Sequence, residues 1–156
     1  MTRALTLALS HLLVLGAGFG LGVYLLPILI APDGPSGPEL TAQTMDARYS
    51  GRFRRDLQDS DALHWGEGTV SVGPRSVAFV GRLAPGPDYK LYLSPAFVET
   101  EAEFQRLKPQ MVRVGDVKTF ENFLVAVPPA VDVERYDTVI VWCESFSQFI
   151  SAAKYR

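Results

Sequence analysis

The sequence has few of the residues that build disulfides or metal clusters. Its 156 residues include one cysteine and two histidines. A single cysteine excludes an intramolecular disulfide framework and every multi-cysteine zinc or iron–sulfur site, and two histidines leave little for a histidine cluster. The 15 basic and 17 acidic residues give a formal net charge of −2. This balance excludes a basic nucleic-acid binder and an acidic disordered tail.

Motifs of the common enzyme classes are also absent from the sequence. It contains no Gly-x-x-x-x-Gly-Lys phosphate loop, no Gly-x-Ser-x-Gly elbow and no His-Glu-x-x-His zinc motif. These absences favour a redox or binding module over a turnover enzyme.

A long uncharged stretch opens the chain. Residues 4–32 contain no Asp, Glu, Lys or Arg, and an apolar run of this length is typical of a transmembrane helix. A helix over residues 4–30 would be about 40 Å long, enough to cross a ~30 Å hydrocarbon core with tilt. The competing interpretation, a cleaved signal peptide, has an apolar region of only about 7–15 residues. We therefore predict an uncleaved signal anchor.

The charges that flank this segment predict its orientation. Arg3 precedes it, whereas Asp33 and Glu39 follow it. The positive-inside tendency then places the N-terminus in the cytoplasm and residues 33–156 outside it, in the periplasm if the source is bacterial.

Glycines within the apolar segment have the spacing of a helix-packing motif. Two overlapping small-xxx-small pairs, Gly16/Gly20 and Gly18/Gly22, would let two such helices approach closely. We give equal weight to the alternative that these glycines are ordinary residues of a membrane helix and form no dimer interface.

Residues 31–60 have the composition of a linker and polar stalk. Three prolines and two glycines fall within residues 32–38, which excludes a helix or a sheet strand there. Residues 39–60 are polar and of mixed charge, and we expect a solvated tether with one or two helical turns.

Residues 61–156 are predicted to form a separate, mainly β domain. Short β-branched and aromatic runs alternate with Gly and Pro turns, a pattern typical of a small antiparallel β-sandwich or barrel. One short helix is predicted over residues 97–107, where Phe97, Phe104 and Leu107 share one face. Strands are predicted over residues 69–72, 77–80, 89–93, 111–115, 123–127, 138–143 and 146–150.

Cys143 and His64 are the candidate site residues. A lone cysteine outside the cytoplasm is buried and inert, pairs with another chain, or acts as a redox or metal-ligating thiolate. Its place at the end of an apolar strand favours inert burial on these grounds alone. His64 is either a second ligand or a hydrogen-bonded turn residue.

Four segments resemble the DM-thirteen domain family, over about residues 60–156. The match is most specific in the last of them. The segments are HWGEGTVSV at 64–72, PDYKLYLS at 87–94, GDVKTF at 115–120, and YDTVIVWCESF at 136–146 with its continuation to residue 155.

The resemblance implies a role in extracytoplasmic electron transfer or protein oxidation. In this family a single cysteine has been proposed to act as a bare thiol or as the ligand of a prosthetic group such as haem, and Cys143 occupies that position. His64 could then serve as a second or alternative haem ligand. Animal members carry DOMON and b-type cytochrome domains, which this sequence lacks, so a redox partner protein is expected. The alternative is a non-catalytic β domain for ligand binding or envelope structure, with Cys143 inert.

Overall fold

Helix α1, Thr2–Ile30, is the first element in the computed structural model, which describes residues 2–156. Its apolar side chains are exposed on nearly all sides, as at Leu13 and Leu15. Exposed apolar surface of this kind is buried when the helix lies in a bilayer. The helix is long and apolar enough to span a membrane, in agreement with the predicted segment. Pro27, near its C-terminal end, is the one buried residue of the helix.

The segment after α1 differs from the expected tether. Helix α2, Gly37–Met45, begins with a capping box between Ser36 and Glu39, and strand β1, Tyr49–Phe53, pairs with β2, Gly66–Val72. The expectation of a solvated stalk is therefore wrong for residues 49–53. The reason is that β1 is an edge strand: its polar side chains face water, and one fully buried phenylalanine carries most of its packing.

Eight strands form two antiparallel four-stranded sheets, which confirms the mainly β prediction. The first sheet has the order β1-β2-β3-β6 and the second the order β5-β4-β7-β8. The remaining strands are β3 Ser76–Leu83, β4 Tyr89–Ser94, β5 Val112–Val117, β6 Phe123–Ala126, β7 Thr138–Cys143 and β8 Gln148–Lys154. Two 3-10 turns, Lys108–Gln110 and Val133–Arg135, complete the described elements.

The main core lies between the two sheets and contains side chains from both. Aromatic rings fill its centre, where the Phe79 ring is 4.9 Å from that of Phe123 and 5.2 Å from that of Phe53. Offset or tilted ring pairs at such distances add to the stability that apolar burial already supplies. The sheets therefore form a rigid frame on which the loops at each end are held.

Strand β7 is buried on both faces, as its continuous apolar run predicts. Its outer face is covered by helix α3, Glu101–Leu107, whose Phe104 stacks on Trp142 with ring centroids 3.8 Å apart. The helix was expected to begin at residue 97. It begins later because the Thr100 hydroxyl caps the backbone N–H of Glu103.

Strand β8 also begins later than predicted, at Gln148 rather than residue 146. The intervening residues form the turn between β7 and β8, in which Ser147 has a left-handed φ of 52°. This turn places the end of β7, and with it Cys143, at the end of the sandwich that contacts α1.

Candidate functional site

A cavity of about 350 Å³ lies at the end of the sandwich next to α1. Both residues singled out from the sequence, Cys143 and His64, line it. The volume is within the range of small-molecule sites, roughly 300–1,000 Å³. The other lining residues come from α1, from the loop before β2, from the 85–89 segment and from the β7–β8 region: Gly20, Val23, Tyr24, Leu63, Pro85, Gly86, Pro87, Tyr89, Phe146, Gln148 and Ile150.

Cys143 is the last residue of β7 and pairs with Tyr89 of β4. Because side chains alternate along a strand, Trp142 packs on the outer face of the sheet while Cys143 belongs to the core between the sheets. Only 3% of Cys143 is exposed to solvent. The thiol is therefore buried, as expected for an inert cysteine, and yet it contributes to the wall of a cavity.

Two opposing effects act on the thiol. Burial, and to a smaller extent the negative charge of Asp88, raise the pKa of Cys143, whereas the backbone amides of Phe146, Asp88 and Ser145 favour the thiolate and lower that pKa. Burial is the stronger effect, so the pKa lies above its ordinary value and the thiol keeps its proton at neutral pH. A thiol in this state is a slow nucleophile, although a bound metal ion would displace its proton.

His64 is held by Asp61 in the loop that precedes β2. Its Nδ1 lies 3.0 Å from Asp61 Oδ2, and the backbone N–H groups of Leu63 and His64 donate to Asp61 Oδ1 at 2.7 Å each. Hydrogen bonding to His64 holds the pKa of Asp61 below its usual value, so its carboxylate is charged at neutral pH. Since a carboxylate only accepts hydrogen bonds, Nδ1 carries the hydrogen and Nε2 is left as the available nitrogen.

Asp88 positions the turn that adjoins Cys143. Its backbone oxygen accepts from the N–H of Glu144 at 3.0 Å, and its carboxylate accepts from Ser145 Oγ at 2.9 Å. Lys90 Nζ lies 2.5 Å from the same carboxylate, and its hydrogen bond holds the pKa of Asp88 low. Asp88 is not among the site residues predicted from the sequence, although an acidic residue directly after a Pro-Gly-Pro turn was available as a signal.

Helix α1 supplies one wall of the cavity through Gly20, Val23 and Tyr24. This contact was not anticipated, because the apolar segment was interpreted as an anchor alone. Tyr24, an aromatic residue with a polar end inside a largely apolar stretch, was the available signal. Helix packing through Gly16, Gly20, Gly18 and Gly22 stays a prediction.

The donor set at the cavity limits which cofactors it could hold. Within residues 2–156, no group of three or more His, Cys, Asp or Glu side chains is placed to hold a metal ion. One thiol and one imidazole are, however, sufficient for a metal whose remaining ligands belong to a cofactor. Haem iron is such a metal, because it takes only one or two ligands from the protein. The carboxylate behind His64 is the usual support of a metal-ligating histidine. The donor types present are therefore ones that haem iron takes from a protein.

Comparison with known proteins gives a family for the chain. No curated protein and no solved structure matched it. A family model described as "Electron transfer DM13" matches residues 56–155, which include both His64 and Cys143 and most of the two sheets. This match covers well over half of the chain and confirms the resemblance found in the sequence. The chain belongs to the DM13 electron-transfer family.

Proposed function

We propose that the protein is a membrane-anchored, extracytoplasmic electron-transfer domain whose redox site is the Cys143 cavity. The observation that carries the proposal is that Cys143 and His64, which are distant in sequence, line the same cavity. Membership of an electron-transfer family supports the redox role. The long apolar helix supports the anchor, and the positive charge before it supports an external position for the domain.

Cys143 acts in this proposal as a haem ligand, with His64 as the second or alternative ligand. Three features support ligation over free thiol chemistry: the thiol is 3% exposed, burial raises the pKa of Cys143, and an imidazole supported by a carboxylate shares the cavity. Bound haem supplies one-electron exchange between its ferric and ferrous states. The chain's own residues provide the ligands, the apolar walls and the exclusion of water.

A bare redox thiol is the second candidate. The backbone amides of Phe146 and Ser145 favour the thiolate that it requires, although burial keeps the pKa of Cys143 raised overall. With one cysteine per chain, Cys143 would attack a disulfide of a partner protein, form a mixed disulfide and release the partner's other sulfur as a thiolate. This reaction requires that the partner's disulfide reach the sulfur of Cys143, and the 3% exposure of Cys143 restricts that access.

Titration of the full chain in detergent with ferric haem, followed through the Soret band, tests the proposal. We expect saturable binding that Cys143→Ala abolishes or shifts spectrally and that His64→Ala weakens. Val141→Ala is the matched control, because Val141 is also fully buried on the same face of β7 and does not line the cavity. Binding unchanged in Cys143→Ala would exclude the cysteine as ligand.

A native thiol that resists alkylation, together with no saturable haem binding, would contradict both redox candidates. That outcome would favour the non-catalytic β domain, in which the cavity binds a ligand without electron transfer and Cys143 is an inert core residue.

A further inference from the structure

The length of α1 exceeds what is needed to cross a bilayer. A hydrocarbon core of about 30 Å requires ~20 helical residues. Counted from the first residue after Arg3, the crossing then ends near Val23, within a helix that continues to Ile30. The last turns of α1 therefore lie at or beyond the outer edge of the hydrocarbon core.

Contact between α1 and the β domain begins before this crossing ends. Phe19, Gly22 and Val23 line a groove together with Pro87 and Phe146 of the domain. Gly20 and Val23 also line the Cys143 cavity. Phe19, Gly20, Gly22 and Val23 thus belong to the membrane crossing and also line spaces shared with the domain. This end of the domain must reach the boundary of the hydrocarbon core.

Exposed apolar side chains, which a position at the membrane boundary requires, lie at this end of the domain. Phe146, at the tip of the β7–β8 turn, is 48% exposed, and Leu63 is 58% exposed. Both line the Cys143 cavity beside α1. Aromatic and aliphatic side chains exposed next to a membrane helix are stabilised by insertion about 5–10 Å into the headgroup and acyl boundary.

We propose that the end of the domain formed by Leu63, Phe146 and the adjoining part of α1 is embedded in the bilayer surface, and that the Cys143 cavity opens there. Ligands then reach Cys143 from the lipid phase, which favours largely apolar compounds over water-soluble ones. Helix α1 is in this account a wall of the site as well as an anchor. The embedding rests on the membrane anchor of the proposed function and does not depend on its redox role.

Tryptophan fluorescence of the full chain in phosphatidylcholine nanodiscs tests the embedding. Phe146→Trp and Leu63→Trp place a reporter at the proposed contact. Met45→Trp is the control, because Met45 is 83% exposed at the end of α2, beside the opposite end of the sheets. The native tryptophans are common to all variants, and all three substitutions are at exposed sites.

With lipids brominated in the acyl chains, we expect the added emission of Phe146→Trp and Leu63→Trp to be quenched several-fold more than that of Met45→Trp. Equal quenching at the three positions would overturn the proposal.

Reaction of the native Cys143 with two maleimides tests the opening of the cavity. In nanodiscs we expect the lipid-soluble pyrene maleimide to label Cys143 several-fold faster than a sulfonated, water-soluble maleimide. Met45→Cys in a Cys143→Ala background should react readily with the sulfonated reagent. Equal rates at Cys143, or no reaction with either reagent, would overturn the proposed opening. A chain that passes both tests but shows no haem binding or thiol redox chemistry contradicts the proposed function alone.

Discussion

Substitution of Asp61 by asparagine separates a role in ligation from a role in folding. Asp61 accepts three hydrogen bonds, two from backbone N–H groups at 2.7 Å and one from His64 Nδ1 at 3.0 Å. Asparagine keeps an oxygen for the backbone donors but presents an amide hydrogen to Nδ1–H. The imidazole therefore loses its charged acceptor, and the tautomer in which Nε2 carries no hydrogen is no longer favoured. The backbone N–H groups of Leu63 and His64 keep their acceptor, so the loop keeps its hydrogen bonds.

The expected cost in stability is small. One hydrogen bond is worth about 1 kcal/mol, and the Asp61 side chain is 58% exposed, so solvent screening lowers this value. We expect the free energy of unfolding to fall by less than about 1 kcal/mol and the melting temperature by no more than ~5 °C. The pKa of Asp61 is lowered, so its contribution is present at neutral pH and is lost as the pH falls below the ordinary carboxyl value of about 3.9.

The expected cost in cofactor binding is larger. Loss of the carboxylate behind a ligating histidine typically weakens metal binding by about 10–100-fold, and we expect a change of this order in the haem titration at pH 7. Arg48→Gln is the matched control, because it breaks the exposed Arg48–Glu134 ion pair, N–O 2.6 Å, without touching the cavity. Unchanged haem affinity in Asp61→Asn would refute His64 as a ligand supported by Asp61.

Three further predictions follow from burial and packing. Cys143→Ala should lower the free energy of unfolding by about 1 kcal/mol in urea denaturation, because the lost atom enlarges an existing cavity and creates no new one; a loss above about 3 kcal/mol would show a core role instead. Because burial raises the pKa of Cys143, alkylation of the native thiol at pH 8 should be slower than alkylation of the urea-unfolded chain. The native rate should also keep rising above pH ~8.5. A native rate that levels off below this pH would contradict a raised pKa for Cys143. Phe104→Ala should cost about 3–5 kcal/mol in the same denaturation assay, since it removes the ring stacked on Trp142; a cost below about 1 kcal/mol would show that the stack contributes little.

The strongly patterned elements were predictable from the sequence. The absence of charge in residues 4–32 predicted α1, and the continuous apolar run of β7 predicted a strand buried on both faces. The single cysteine and the specific block around it predicted the family, whereas the role of Cys143 as the site residue stays a prediction. These signals are local, so one sequence is sufficient to read them.

The remaining features depend on tertiary contacts that leave no local pattern. Strand β1 was missed because three of its five residues are Ser, Gly and Arg, and only pairing with β2 makes it a strand. The convergence of His64 and Cys143 depends on the strand order of two sheets. The contact of Tyr24 with the domain likewise depends on how the chain returns after α1.

The electron paramagnetic resonance spectrum of the haem-loaded full chain tests whether Cys143 ligates haem. We expect the signature of ferric haem with a thiolate ligand in the native chain and in Val141→Ala, and its loss in Cys143→Ala. A native chain that binds haem with the same spectrum as Cys143→Ala would rule out ligation by Cys143.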